Sequence, residues 1–145
     1  MKTAVQTNLS LLDRLEKVLP HDLANAKDLI SNNFVWHYFN PSLPEIAGDY
    51  VGLSGLQAFF QKLGALTNGT FRVSPLKVIP VGEELVVVHA NPSMSFADES
   101  FELDAVVVWR IVSDRIIEAW DIPAVYTLRP PTPSDHSKRL RSHLQ

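Results

Sequence analysis

Phe101-Glu-Leu-Asp-Ala-Val-Val-Val-Trp-Arg-Ile-Val112, then Ser113-Asp114, then Arg115-Ile-Ile-Glu-Ala-Trp-Asp121 is the stretch on which the fold turns. The first run is rich in β-branched and aromatic residues and reads as the longest strand. Its odd positions, Leu103, Ala105, Val107, Trp109 and Ile111, share one face. Glu102, Asp104, Val106, Val108 and Arg110 share the other. Ser113-Asp114 is a tight turn, and Arg115 to Asp121 is the returning strand.

Upstream, Leu85 to Ala90 reads as a further strand behind the turn Val81-Gly82-Glu83-Glu84. Phe71 to Pro80 alternates with basic or small residues. Asn91 to Ser100 reads as a polar connection. Short spacing between strands predicts an antiparallel meander in the second half of the chain.

The first half has a helical period. Leu9, Leu12, Leu15, Val18 and Leu19 predict an amphipathic helix from about Asn8 to Leu19, ended by Pro20. A second helix is predicted from Asp22 to about Ile30, with Leu23, Ala26, Leu29 and Ile30 as its buried stripe. Phe34 to Phe39 is a strand closed by Pro41 and Pro44, and Ile46 to Gly52 is a loop or short strand. Ser54-Gly-Leu-Gln57 fits a capping box, so a third helix follows to about Leu66 with Leu56, Phe59, Phe60 and Leu63 on its face. Asn68-Gly69 is a turn. The order is α+β in one domain, with no βαβ alternation, no Gly-x-Gly-x-x-Gly and no P-loop.

Leu85 to Ala90 and Ala105 to Val108 are apolar on both faces, so the sheet needs two covers. Helices supply one. The other is a strand-and-loop cover or a second subunit, which would make a homodimer through the sheet.

Composition bounds the rest. At 145 residues with 46% hydrophobic and 20% charged residues, the chain can build a core without staples. It has no cysteine, which removes thiol nucleophiles and cysteine-ligated metals and is compatible with a cytoplasmic location. Met1 to Ser10 lacks the apolar run of a signal peptide, and no window is long enough to span a membrane. From Thr127 onward four basic residues face one acidic residue, a +3 tail that leaves −6 on the body out of a net −3. A −6 body is a poor surface for nucleic acid. Pro130, Pro131 and Pro133 mark residues 127–145 as a Pro-rich basic tail read as disordered, after a domain of residues 1–126.

Several polar residues sit where a bland core would have none. Glu102 and Asp104 are either a solvated strand start, paired with a lysine or Arg72, or the lining of a cavity. His89 ends Val86-Val87-Val88-His89 and is either a satisfied core or edge histidine or a cavity group. Trp36 and Tyr38 share a face and suit either core packing or a pocket wall, while His37 faces the other way with Val35 and Phe39. Asp121, after Trp120, is either a strand-end cap or a carboxylate among aliphatic residues, where desolvation would raise its pKa and fit it for acid–base work. No His-x-His or His-Glu-x-x-His spacing occurs, so no metal site is expected. Gly52-Leu53-Ser54-Gly55 is not a nucleophile elbow.

Four segments together resemble the SnoaL-like polyketide-cyclase branch of the nuclear transport factor 2-like superfamily, which also contains ketosteroid isomerases. They are Asp28 to His37, Gly48 to Phe60, the strand Leu103 to Val112, and the hairpin Ser113 to Asp121, whose turn lacks the family's usual glycine. The resemblance covers about Asn8 to Tyr126. It implies a cone of three N-terminal helices packed on a strongly curved, mostly antiparallel sheet that encloses an apolar cavity, in a homodimer. It implies acid–base residues inside the cone that need no metal or organic cofactor. Asp121 matches the pocket aspartate of the cyclases, and His37, beside Trp36, belongs with the same cavity. The expected pocket wall comprises Trp36, Tyr38, Tyr50, Phe59, His89, Glu102, Asp104 and Trp120. The isomerase pattern of one tyrosine and two carboxylates is not identifiable. Two functions follow as expectations. One is a cofactor-independent acid–base enzyme (isomerase, aldol-type cyclase or epoxide hydrolase-like) acting on a small apolar carbonyl or related compound. The other is a non-catalytic domain of the same fold that binds a small molecule or a protein.

Overall fold

A computed structural model describes residues 2–131. The elements run α1 (Ala4–Val18), a 3-10 turn (Leu23–Ala26), β1 (Ile30–Tyr38), β2 (Gly48–Val51), α2 (Gly52–Leu66), β3 (Arg72–Val81), β4 (Leu85–Phe96), β5 (Glu99–Val112) and β6 (Arg115–Arg129). The Pro-rich tail expected over residues 127–145 lies, from residue 132 on, outside the described residues.

α1 starts earlier than its apolar period suggests because Thr3 caps it. The Thr3 hydroxyl accepts from the Gln6 N–H at 3.1 Å, and the Gln6 side chain accepts from the Thr3 N–H at 2.9 Å. Leu11, Leu12 and Leu15 face the core. Buried Asn8 donates to the Glu83 carbonyl at 2.8 Å, which pins α1 to the β3–β4 turn.

The expectation of three helices is corrected to two α-helices. The segment from Asp22 makes only a single 3-10 turn, and Ile30 already belongs to β1. Asp22 caps no backbone N–H; its carboxylate takes the Asn25 side chain at 2.8 Å instead. The Ile116 N–H donates to the Leu29 carbonyl at 2.9 Å, so sheet pairing begins where another helical turn was expected. Eight or nine residues of weak helical pattern lose to a strand that pairs on both sides.

The sheet has six strands in the order β2-β1-β6-β5-β4-β3. Every pair is antiparallel except β1 with β6. That parallel pair places Trp36 beside Ala119, His37 beside Trp120 and Tyr38 beside Asp121. The sheet does not close into a cone around a cavity, which corrects that expectation. β2 and β3 remain open edges, and the pocket described below opens to solvent. β3 is exposed along its whole length, and Pro75 and Pro80 blunt it against stray pairing.

Four strands run longer than the sequence suggested, β1 and β5 at their starts and β4 and β6 at their ends. β4 and β5 absorb most of the expected connection Asn91 to Ser100, leaving only Ala97-Asp98 as the turn. Both turn residues have positive φ (47° and 69°), as do Ser113 and Asp114 (51° and 61°), the backbone a two-residue hairpin needs. β6 continues through Pro123 to Arg129.

α1 and α2 pack on one face of the sheet. Phe59, Leu56 and Leu63 of α2 and Leu12 and Leu15 of α1 meet Phe34, Trp36, Trp109, Ile111 and Ile116. Burial of each large apolar side chain contributes about 1.5–3 kcal/mol. α2 lacks a side-chain cap and begins at Gly52 (φ +72°) rather than at the Ser54 box. A Cβ on Gly55 would lie 2.9 Å from the Tyr50 backbone, so glycine is what lets α2 sit this close to β2.

Candidate functional site

Strand parity decides which side chains share a compartment. The helix-facing side of β5 carries Leu103, Ala105, Trp109 and Ile111, and that of β6 carries Ala119, Asp121 and Pro123. The helices cover the end of this face near Trp36 and Trp109. Towards the β4–β5 turn their cover runs out, and a pocket of about 230 Å³ remains. Its walls are apolar: Leu63, Phe71, Met94, Phe96, Phe101, Leu103, Val125 and Leu128 among them. Its polar groups are Tyr38, Asn40, Ser42 and Asp121.

Asp121 is held between Tyr38 on β1 and Val107 on β5. Its backbone carbonyl accepts from the Phe39 N–H at 3.0 Å. Its carboxyl group forms no hydrogen bond with another described residue and keeps limited access to the pocket. Desolvation pushes its pKa from the ordinary 3.8 up to about 7. Either protonation state is therefore within reach at neutral pH.

Tyr38 is buried, and its phenol is pushed up to about 12, chiefly by burial and further by the charge of Asp121. It stays protonated. Asn40 donates its side-chain N–H to the Tyr38 oxygen at 2.9 Å. That bond occupies a lone pair of the phenol and leaves the Tyr38 O–H free to donate elsewhere. Asn40 is itself fixed: its oxygen accepts from the Ser42 N–H at 2.9 Å across Pro41, an Asx turn. A carboxyl whose pKa burial raises to about 7 and a protonated phenol whose O–H is free to donate thus line one apolar pocket.

The other expected site residues lie elsewhere. His37 and Trp120 are on the opposite, outer face, because each is one residue out of step with Tyr38 and Asp121. The His37 ring is 2.7 Å from Asp49 through Nδ1 and 2.7 Å from Glu118 through Nε2, and it stacks on Trp120. Burial alone lowers its pKa, but hydrogen bonds to Glu118 and Asp49 outweigh that and leave it raised. His89 and Asp104 pair at 3.1 Å, also on the outer face, and Arg129 holds Asp104 at 3.2 Å. These two partners, His89 first, keep the Asp104 carboxyl below its usual range. Glu102 is buried against Arg129 at 3.3 Å. Trp36, Phe59 and Tyr50 do face the helices but pack into the core: Trp36 on Phe59 and Trp109, Phe59 on Tyr50. Tyr38 and Asp121 are thus the two expected residues that line the pocket. Asn40 was missed, although Asn40-Pro41-Ser42 carries the signal of an Asx turn directly after a strand.

Among the described residues no group of three His, Cys, Asp or Glu side chains is placed to hold a metal ion, and no helix is long and apolar enough to cross a membrane. A larger cleft of about 450 Å³ lies between the 3-10 turn and α2, but its ionisable groups, His21 and Asp22, are exposed.

Residues 13–119 match the family described as the SnoaL-like domain. The chain belongs to that family. The fold of this chain is similar to that of solved structures of low sequence identity. One is Bal32a from a soil-derived mobile gene cassette, at 21% identity over 86% of this chain and 95% of that one, TM-score 0.77. Another is TerC co-crystallised with polyporic acid, at 18% identity over 83% and 93%, TM-score 0.72. A third is an NTF2-like protein of unknown function from Burkholderia pseudomallei, at 20% identity over 87% and 94%, TM-score 0.68. At these identities the likeness speaks to fold alone. None of the curated proteins matches the chain.

Proposed function

We propose that this SnoaL-like domain is a cofactor-independent acid–base enzyme for a small apolar carbonyl compound. The observation that carries the reading is the Asp121 carboxyl, unbonded in an apolar pocket, with a pKa near 7 and Tyr38 beside it. As the carboxylate, Asp121 takes a proton from the carbon next to a bound carbonyl. The electron pair moves onto the carbonyl oxygen, and the Tyr38 O–H donates to that oxyanion. When the substrate is a β,γ-unsaturated carbonyl, the enolate is a conjugated dienolate, and Asp121 returns the proton to its far carbon, as in an isomerisation. In an aldol-type ring closure the enolate carbon attacks a second carbonyl instead, the electron pair of that C=O moves onto its oxygen, and the resulting alkoxide takes the proton from Asp121. Among the described residues the pocket lining includes no Lys, Arg or His, which favours an uncharged substrate. TerC, whose fold is similar, has been co-crystallised with polyporic acid, which supports a small-molecule ligand here.

The test is hydrogen–deuterium exchange of 2-tetralone, a neutral enolisable ketone, followed by proton NMR in D₂O. The native chain accelerates exchange, and Asp121→Asn lowers that acceleration by about 10²–10⁴-fold. Equal rates for the two proteins remove Asp121 from the chemistry. Binding of 2-tetralone without any exchange makes the chain a binding domain.

The outer face carries Phe39, Val106 and Ile122, which are 52%, 38% and 46% exposed. We propose that a second copy of the chain covers them, as an apolar sheet face requires.

A further inference from the structure

The outer face directly behind the acid–base pair carries a row of alternating charge across the sheet. Asp49 on β2 meets His37 on β1. His37 meets Glu118 on β6. Glu118 meets Arg110 on β5 at 3.6 Å, and Arg110 pairs with Glu84 in the β3–β4 turn. Trp120 lies within the row, stacked on the His37 ring and under the Arg110 guanidinium. With both ring nitrogens 2.7 Å from carboxylate oxygens, the imidazolium is the one form that donates to both.

The row crosses β1 and β6 where the proposed site needs them held. His37 is the neighbour of Tyr38 in sequence, and Glu118 lies three residues before Asp121. The bond from His37 to Glu118 therefore ties together the two strands whose register sets Tyr38 beside Asp121. It also balances charge: the imidazolium offsets one of the two carboxylates it joins.

We infer that His37 is a positioning residue for the acid–base pair, acting through the sheet by clamping β1 to β6 and balancing the charge behind Asp121. This rests on the proposed role of Asp121 and adds to it a group that never touches the substrate. Without the imidazolium, Asp49 and Glu118 leave uncompensated negative charge behind Asp121, which makes ionisation of Asp121 harder. Without Glu118 the row loses one negative charge and becomes neutral, so ionisation becomes easier. Arg110 and Glu84 belong to the same row and stay in place in both cases.

The experiment uses the full chain labelled with ¹³C at aspartate Cγ. The Asp121 signal is assigned from its loss in Asp121→Asn and titrated in the native chain, in His37→Phe and in Glu118→Gln. Phenylalanine keeps the ring stack on Trp120 while removing both donors. The expected shifts are opposite in sign: the Asp121 midpoint rises by about half a pH unit in His37→Phe and falls by a similar amount in Glu118→Gln. With 2-tetralone, His37→Phe lowers kcat about tenfold and leaves KM unchanged, since the clamp lies outside the pocket. Midpoints that stay put in both variants, or move in the same direction, overturn the inference. If His37→Phe does not fold, Glu118→Gln alone decides by whether its midpoint falls. Should the native chain fail to exchange 2-tetralone, the enzymatic reading falls while the titrations still decide the clamp.

Discussion

Replacing Asp121 by asparagine is expected to stabilise the protein at the same time as it removes activity. Burial raises the Asp121 pKa from 3.8 to about 7, with no bonding partner among the described residues to offset it. The native state therefore holds this proton over a pH range in which the unfolded chain has released it. The sign is opposite to that of a salt-bridged carboxylate. Stability from this group is intact below pH 3.8, declines as pH rises between 3.8 and about 7, and stays low above that. At about 1.4 kcal/mol for each pH unit, the full rise corresponds to roughly 4 kcal/mol. The carboxyl keeps some access to pocket water, which screens the ion and reduces the penalty to about 2 kcal/mol. Asparagine has the same shape and no charge to desolvate, so it escapes the penalty. Urea unfolding of the two proteins at pH 4 and pH 8 isolates the effect, because all other groups titrate alike in both. The expected result is near-equal stability at pH 4 and an advantage of about 2 kcal/mol for Asp121→Asn at pH 8. An advantage of the same size at both pH values would refute the reasoning, since the gain would then come from packing rather than from ionisation.

Two further outcomes follow from the same structure. Tyr38→Phe keeps the ring in place and removes the only phenol in the pocket lining, so kcat for 2-tetralone exchange falls by about 10–10³-fold with a smaller change in KM; stopped-flow or NMR kinetics of the folded variant checks it. Ile122→Lys puts a charge into the exposed apolar patch of the outer face. If a second copy covers that face, analytical ultracentrifugation shows a dimer for the native chain and a monomer for the variant, with the far-UV circular dichroism unchanged.

The parity of β5 and β6 explains both what was read correctly and what was missed. Alternation alone placed Leu103, Ala105 and Asp121 on definite strand faces, because the side-chain period of a strand is a local property. It did not show which face of one strand joins which face of another. The parallel pairing of β1 with β6 decides that, and it is a contact between the first strand and the last. His37 and Asp121 were therefore expected in one cavity and stand on opposite faces. Bulges add to the difficulty. The register shift between Arg110 and Ile111 puts Ile116 rather than Ile117 into the core. The second helix failed for a related reason: a short, weak helical pattern was overruled by sheet pairing from Ile116.

The sequence by itself determined the α+β class, the position of the β5–β6 hairpin, the amphipathic faces of α1 and α2, and Asp121 as the carboxylate worth watching. Each of these follows from periodicity, turn chemistry or residue type within a few neighbouring positions, or from resemblance to a family. The tertiary structure alone decided that Tyr38, with Asn40 behind it, stands beside Asp121 in the pocket, that the sheet stays open, and that His37 faces the other side. Those outcomes depend on strand order and register between segments some eighty residues apart in the chain, about which the local pattern of either segment carries no information.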